Sequence, residues 1–443
     1  MANHVHGEKD LGLDPTRTLQ RKLYRAAKQN ENRRFHALFD KVARRDVLRR
    51  AWIEVARKGG APGVDAETIE AIEAVGVEEF LDQLQRELND DRYQPQAVRR
   101  VTIPKRSGGE RHLGVPAIRD RVVQAAVKLV IEPIFEADFV DCSYGFRPKR
   151  SAHQACERVR SGLRCGRRWV VDADITGFFD NLDHGLLLRM VRRRISDRRL
   201  LHLLQQWLKA GILTDRGVLH PTAGTPQGGV ISPLLANIYL HWLDRVWQRR
   251  CWQLGELTRY ADDLVVMCGS EERAAEALIQ LQEILSRLKL TLSARKTRVV
   301  GCGGGAAGFD FLGYHFRYRQ TRQHRANHFY AACWPSRLAL VAARERIREL
   351  TPVSRIGRPI IVVVHDLNRF LRGWGAYFRH GNATKQFKHL DRYVFERLAR
   401  FIARKHHSRN WQRGMVDLLE SHTQLGLHRL AGTVRYASAH AAR

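Results

Sequence analysis

Acidic side chains are scarce in this chain. Its 443 residues carry 46 Asp and Glu against 76 Lys and Arg, a net charge of +30 and a pI near 10.6. The excess amounts to about one uncompensated cation per fifteen residues. It is spread along the chain rather than gathered in a tail, so the expected partner is a polyanion, of which nucleic acid is the commonest. Cysteine is also sparse. The seven present are odd in number and form no C-x-x-C pair, which excludes a disulfide framework and a zinc knuckle and predicts a reducing, cytoplasmic setting. The first ten residues, MANHVHGEKD, lack an apolar core, so no signal peptide is expected. Long hydrophobic runs are missing too. The longest, Val122 to Phe135, is broken by Lys128 and Glu132, and no membrane partner is expected.

What is present is enough apolar material, 44% of residues, to bury more than one core. Residues 17–58 hold fourteen Lys/Arg against four Asp/Glu, with Leu19, Leu23, Phe35, Leu38, Val42 and Leu48 at roughly helical spacing. That pattern predicts basic amphipathic helices lying along phosphates, and residues 1–58 are read as a basic N-terminal extension. Gly59-Gly60 and Pro62-Gly63 interrupt it. Beyond them Glu67 to Leu88 predicts one or two helices, and Val98 to Pro104 a strand. Arg111 to Val115 predicts the returning strand of a hairpin, and Ile118 to Ile134 a long helix.

Trp169 to Ile175 reads as a strand, and Leu186 to Ala210 as helices. Ser232-Pro233 reads as a cap and first helical position. Leu257 to Met267 predicts two strands around an Ala-Asp-Asp turn, followed by a helix from Glu271 to Leu288. The glycine-rich stretch 301–308 is a connector without the G-K-[ST] ending of a phosphate loop. From about residue 320 the chain turns helical, basic and aromatic. Mixed elements followed by helices alone predict an α+β fold with a separate α-helical domain.

The chemistry gathers at Asp262 and Asp263. Adjacent carboxylates on a turn between apolar strands repel each other near a low-dielectric core, a cost that a divalent cation relieves. Mg²⁺ favours a few carboxylates together with substrate phosphates, and paired ions can clamp both oxygens of an in-line phosphoryl displacement. The strand Val170 to Ile175 could supply a further ligand from Asp172 or Asp174.

Eight motifs then stand in order along the chain. They are Gly60-Ala-Pro-Gly-Val-Asp65, the run Ile103 to Gly114, Ser143 to Ser151, and Asp174-Ile-Thr-Gly-Phe-Phe179 continuing to His184. After them come Gly224-Thr-Pro-Gln227-Gly-Gly to Pro233, Tyr260-Ala-Asp-Asp263, Leu292 to Thr297, and Phe311-Leu-Gly-Tyr314. With this series the chain resembles the reverse transcriptases encoded by bacterial group II introns, over nearly its full length.

The resemblance implies a right-hand polymerase. Fingers and palm, with an antiparallel sheet, would fill residues 59–317. An all-α thumb or maturase domain would fill 318–405, and a basic C-terminal tail 406–443. Asp174, Asp262 and Asp263 become the palm carboxylates that hold two Mg²⁺ ions. Asp172 is the competitor for Asp174, since residues two apart share a strand face. Lys105 and Arg111 on the hairpin, and Gln227, become contacts for the incoming dNTP. Phe179 becomes the ring that excludes a 2′-hydroxyl, its alternative being a place in the palm core. Lys296 is either a proton donor to pyrophosphate or a plain ion-pair partner.

Farther on, Leu367, Phe370, Leu371, Trp374, Tyr377 and Phe378 form one helical stripe, and Phe387 to Phe401 a second; both read as core. Cations off those stripes, Arg372, Lys388, Arg392, Arg397 and Arg400, are the candidates for meeting RNA. No cysteine follows Cys333, so the Cys-rich endonuclease of many relatives is not expected, as in the compact class C lineage. The implied partners are group II intron RNA, an RNA template with a DNA primer, dNTPs and target DNA. The implied function is RNA-directed DNA synthesis coupled to splicing and mobility of the intron. The alternatives are a reverse transcriptase recruited to defence or diversity generation, or a non-enzymatic splicing factor.

Overall fold

Asp14 starts the first helix by accepting a hydrogen bond from the Thr16 amide, with Pro15 at the first helical position, so α1 runs Pro15–Gln29. The computed structural model describes residues 14–104, 109–214, 217–219, 223–225, 228–305, 308–320, 329–407 and 426–435. Leu19, Leu23 and Ala27 on α1 bury against α6 (Ile118–Glu136), as do α2 (Phe39–Val42) and α3 (Arg45–Lys58). Helix α6 is apolar nearly all round and buried accordingly. The basic segment is therefore no appended arm. Its apolar stripe completes the main core while its charges face outward, which corrects the reading of residues 1–58 as a separate extension.

Between α3 and α6 lie α4 (Ile69–Val75), α5 (Val77–Asn89) and the hairpin β1 (Val98–Pro104) with β2 (Glu110–Val115). A Ser151/Gln154 capping box opens α7 (Ala152–Arg164), which leads to β3 (Trp169–Asp174). Next come α8 (His184–Arg192), α9 (Arg198–Lys209), β4 (Ile212–Thr214) and β5 (Gly217–Leu219); β4 joins the hairpin by pairing parallel to β1. Helix α10 (Ser232–Val246) starts one residue earlier than the capping pattern implied. Ile231 stands at its cap and Ser232 is already helical. It passes into a π turn, Trp247–Cys251.

Strands β6 (Glu256–Tyr260) and β7 (Asp263–Cys268), helix α11 (Glu271–Arg287) and β8 (Arg298–Gly301) complete an antiparallel sheet of order β6-β7-β3-β8. Alternation places its side chains in two different cores. Val171, Ala173, Leu264 and Val266 join the helices of the first half, whereas Val170, Val265 and Met267 join α7 and the C-terminal half.

That second core runs through β9 (Phe309–Phe311), β10 (Tyr314–Gln320) and β11 (Phe329–Pro335) into α12 (Arg337–Leu350), α13 (Ile360–Phe378) and α14 (Thr384–Lys405). The expected boundary at 317/318 thus falls inside β10, which pairs with β11 along its whole length; the helical region begins after Pro335. Both expected aromatic stripes face this core. Residues 426–435 are no loose tail: Leu430 is fully buried, and Asp391 accepts from the Leu430 and Ala431 amides at 2.9 and 2.8 Å.

Candidate active site

The register of β3 on β7 pairs Asp174 with Asp263, so both carboxylates stand at the same end of the sheet. Asp262 sits beside them in the two-residue turn between β6 and β7. The first residue of that turn, Ala261, has φ +57°, a conformation tight hairpins usually reserve for glycine, Asn or Asp.

A buried cage holds it there. The Arg259 side chain is wholly inaccessible and spends its guanidinium on Asp244 (2.8 and 2.5 Å), Asn237 Oδ1 (3.0 Å), Ser143 Oγ (2.7 Å) and the Ala261 carbonyl (3.1 Å). Burial alone would lower the Arg259 pKa, but the Asp244 carboxylate raises it on balance. Gly145 closes the other side. A Cβ there would lie 2.4 Å from the Ala261 nitrogen, so the Ser143–Ser151 motif requires its glycine where it meets the turn.

The carboxylates differ in their partners. Lys296 donates to both oxygens of Asp174 at 3.0 Å, placed there by Ser293, whose amide donates to the Asp174 carbonyl at 2.8 Å. Arg298 holds Asp172 at 3.1 Å, which gives the competitor a local ion pair and leaves Asp174 nearer the tip. Burial still raises the Asp172 carboxyl above its ordinary range. Asp263 is pushed up to about 7, first by loss of water and then by the charges of Asp262, Asp174 and Asp172, against which Lys296 acts. Asp263 stands at the surface, where the crowding of like charges acts on it.

Among the described residues no three His, Cys, Asp or Glu side chains are drawn together as a ready ligand cage. The donor set fits a hard divalent cation by its chemistry: carboxylate oxygens only, with a mutual repulsion that such an ion would relieve. Asp183 caps α8 by accepting from the Leu186 amide at 2.8 Å and pairs with Lys289 at 2.5 Å, a local role.

Phe178 is buried, and Phe179 is half-buried with its ring centroid 5.2 Å away, on the short turn beyond β3. The motif beginning at Gly224 lies directly against this turn. The Thr225 amide donates to the Phe179 carbonyl at 2.8 Å, and a Cβ on Gly224 would come within 2.9 Å of the same oxygen. Gln227 and Lys105 lie outside the described residues. Arg111 is in β2 opposite Ile103, on the hairpin where it was expected.

In the helical region Arg372, Lys388, Arg392 and Arg400 are exposed. Arg397 is not: it donates to the Thr351 carbonyl and hydroxyl at 2.9 and 3.2 Å, tying α14 to the end of α12. Sequence reading missed Arg259 and its cage. A signal was there, since Asn237 and Asp244 lie seven apart on one face of an otherwise apolar helix and need a buried partner.

Residues 103–316 match the family model for reverse transcriptase (RNA-dependent DNA polymerase), and residues 340–416 that for the group II intron maturase-specific domain. Protein YkfC of Escherichia coli K12 is 38% identical over 344 residues, covering 69% of this chain and 89% of that protein. The group II intron-encoded protein LtrA of Lactococcus lactis subsp. cremoris is 36% identical over 236 residues, 53% of this chain and 39% of that protein. A solved partial Cas6-RT-Cas1–Cas2 complex aligns with 64% of this chain and 45% of its own at TM-score 0.36 and 24% identity, too loosely to carry weight.

Proposed function

The chain belongs to the family of group II intron-encoded reverse transcriptases with a maturase domain, and from that premise we propose how its residues divide the work. The family's RNA-directed DNA polymerase activity resides in the palm and depends on divalent metal. In this reading the ions are two Mg²⁺, held by Asp174, Asp262 and Asp263; when bound they supply activation of the primer 3′-hydroxyl and charge stabilisation of the leaving pyrophosphate. The observation that carries the reading is the register of Asp174 on Asp263 at the tip, where like charges raise the Asp263 pKa.

The remaining roles belong to side chains of the chain itself. Lys296 neutralises Asp174 and, released from it, stands as a proton donor within the site. Phe179 closes the sugar side of the dNTP pocket by volume. Lys105 and Arg111 grip the triphosphate, and Gln227 touches the incoming nucleotide. Arg372, Lys388, Arg392 and Arg400 on the helical domain bind intron RNA to assist splicing. Arg397 is assigned to packing instead. Mobility by target-primed synthesis, with target DNA as partner, completes the proposal.

An Asp262→Asn chain tests it. Primer extension on an RNA template should fall on the order of 10³-fold, while intron RNA binding and assisted splicing persist. Near-normal extension would remove the palm assignment. Loss of splicing by a folded variant would remove the division of labour.

A further inference from the structure

A cavity of about 740 Å³ opens away from the carboxylates, between the end of α1, the last turns of α6 and α8, the π turn after α10, and α11. No residue of the palm tip or of the helical domain lines it. Its wall carries Arg193, Arg245, Arg249, Arg250 and Arg287, with the half-buried indole of Trp242 among them. A sixth arginine, Arg194, is already committed to Asp138 at 3.2 Å and to the Ala27 and Asn30 carbonyls. Among the described residues none of the other five has a carboxylate within 4 Å; Glu31 and Glu283 also line the space, leaving five guanidinium groups against two carboxylates. Such an excess around one concavity is unfavourable until an anion enters it.

A further feature narrows the anion. The π turn, fixed by the Trp247 indole donating to the Gly255 carbonyl at 3.0 Å, carries Arg249 and Arg250 on the rim. Such turns are uncommon and occur frequently at functional sites. Guanidinium groups for a phosphate and an indole face for a ring are the elements of nucleotide recognition. The volume falls in the range that small-ligand pockets occupy.

We propose that this cavity is a second nucleic-acid site, separate from the polymerase cleft, which takes a nucleotide of single-stranded RNA with its phosphate on the arginines and its base on Trp242. The same chemistry would accept a free nucleotide, and the test distinguishes the two.

The full chain and three variants, Arg245→Gln/Arg249→Gln/Arg250→Gln, Trp242→Ala and Trp242→Phe, are titrated with a fluorescent ten-nucleotide oligo(A) RNA and, separately, with AMP. A control, Arg21→Gln/Lys22→Gln/Arg25→Gln, removes three exposed cations from α1. The arginine triple should weaken oligo(A) binding about tenfold, and the control markedly less. Trp242→Ala should weaken it about fivefold, with Trp242→Phe restoring most of the loss because stacking survives. Extension of a preformed template–primer should stay within about twofold of the parent throughout. AMP bound with the same variant pattern and an affinity matching oligo(A) would assign the site to free nucleotides and overturn the RNA assignment. Equal losses in the pocket triple and the control, equal behaviour of the two Trp242 variants, or displacement of oligo(A) by polyglutamate at matched charge would each overturn the proposal. The Trp242 pair keeps the test decisive if the arginine triple fails to fold.

Discussion

The palm tip and the helical domain handle charge in opposite ways. Around the tip charges are paired across elements: Asp174 with Lys296, Asp172 with Arg298, Arg259 with Asp244. On α13 and α14 the cations stand over a closed aromatic core, and Arg392 pairs only with Glu396 one turn along its own helix. The buried Arg259–Asp244 pair fixes geometry, so its loss is nearly all-or-none, whereas Lys296 and Arg298 stand half in solvent. Dispersed surface charges create a field, so their loss is graded and depends on salt. The first arrangement suits chemistry at fixed atoms, and the second suits holding a large, flexible polyanion.

The hardest strike at this contrast is Arg259→Met. It leaves Asp244 buried and unpaired, and should cost about 3–5 kcal/mol in urea unfolding. Adding Asp244→Leu should recover much of that stability. Primer extension should remain low in the double variant, because the Ala261 carbonyl has lost the donor that holds its left-handed turn. Recovery of both together would mean that the cage stabilises the palm without positioning the carboxylates.

The matching strike on the helical domain is Arg372→Gln/Lys388→Gln/Arg392→Gln/Arg400→Gln. The slope of log affinity for intron RNA against log salt should fall by about three units, with extension on a short template preserved. A salt slope equal to the parent's would show that these cations do not meet RNA.

Phe179 sharpens the comparison within the palm. Phe179→Val should raise the ratio of rNTP to dNTP incorporation at least about tenfold, roughly 1.4 kcal/mol of lost discrimination. Phe178→Val, inside the core, should leave the ratio alone and destabilise by about 3 kcal/mol. The reverse pattern would shift the motif by one residue.

The smallest effect concerns pH. Asp263 carries a raised carboxyl in the folded chain, near 7 against an ordinary 3.8, so the folded state holds its proton more tightly than the unfolded one. Stability of the metal-free protein should therefore fall as pH rises from about 4 to 7, the reverse of the usual carboxylate trend. Because the group is exposed the change is discounted to about one or two degrees in Tm between pH 5 and 8. Added Mg²⁺, or Asp263→Asn, should flatten it. An unchanged slope in Asp263→Asn would place the titration elsewhere.

Much of this was legible because it is local. The short apolar runs Trp169-Val170-Val171 and Leu264-Val265-Val266-Met267 announced strands, and the adjacent acids announced the tip. The stripes of α13 and α14 were read in the right phase for the same reason. What was not legible depends on partners distant in sequence. Arg259 reads as one more cation until Asp244, Asn237 and Ser143 converge on it. Arg397 reads as a surface arginine until the end of α12 is laid beside it. The basic segment 17–58 reads as an arm because its charge is obvious, whereas its burial depends on α6, whose apolar surface runs all round. The boundary near 320 was misplaced because β10 carries Arg317 and Arg319 on a strand whose mate begins only at Phe329.

The palm sheet's alternate residues belong to different cores, and this bears on how the protein can be dissected. A fragment ending near residue 316 would keep α7 over Val170, Val265 and Met267 but lose β11 and the helices that complete that core, leaving much apolar surface of the second core bare. Such a piece would carry Asp174, Asp262 and Asp263 and still be prone to clump, since newly exposed apolar surface invites self-association. The cut that respects the packing removes nothing before Pro335, and even there α7 loses neighbours. The two halves share a core, so the proposed division of labour is to be probed by point substitution and not by truncation.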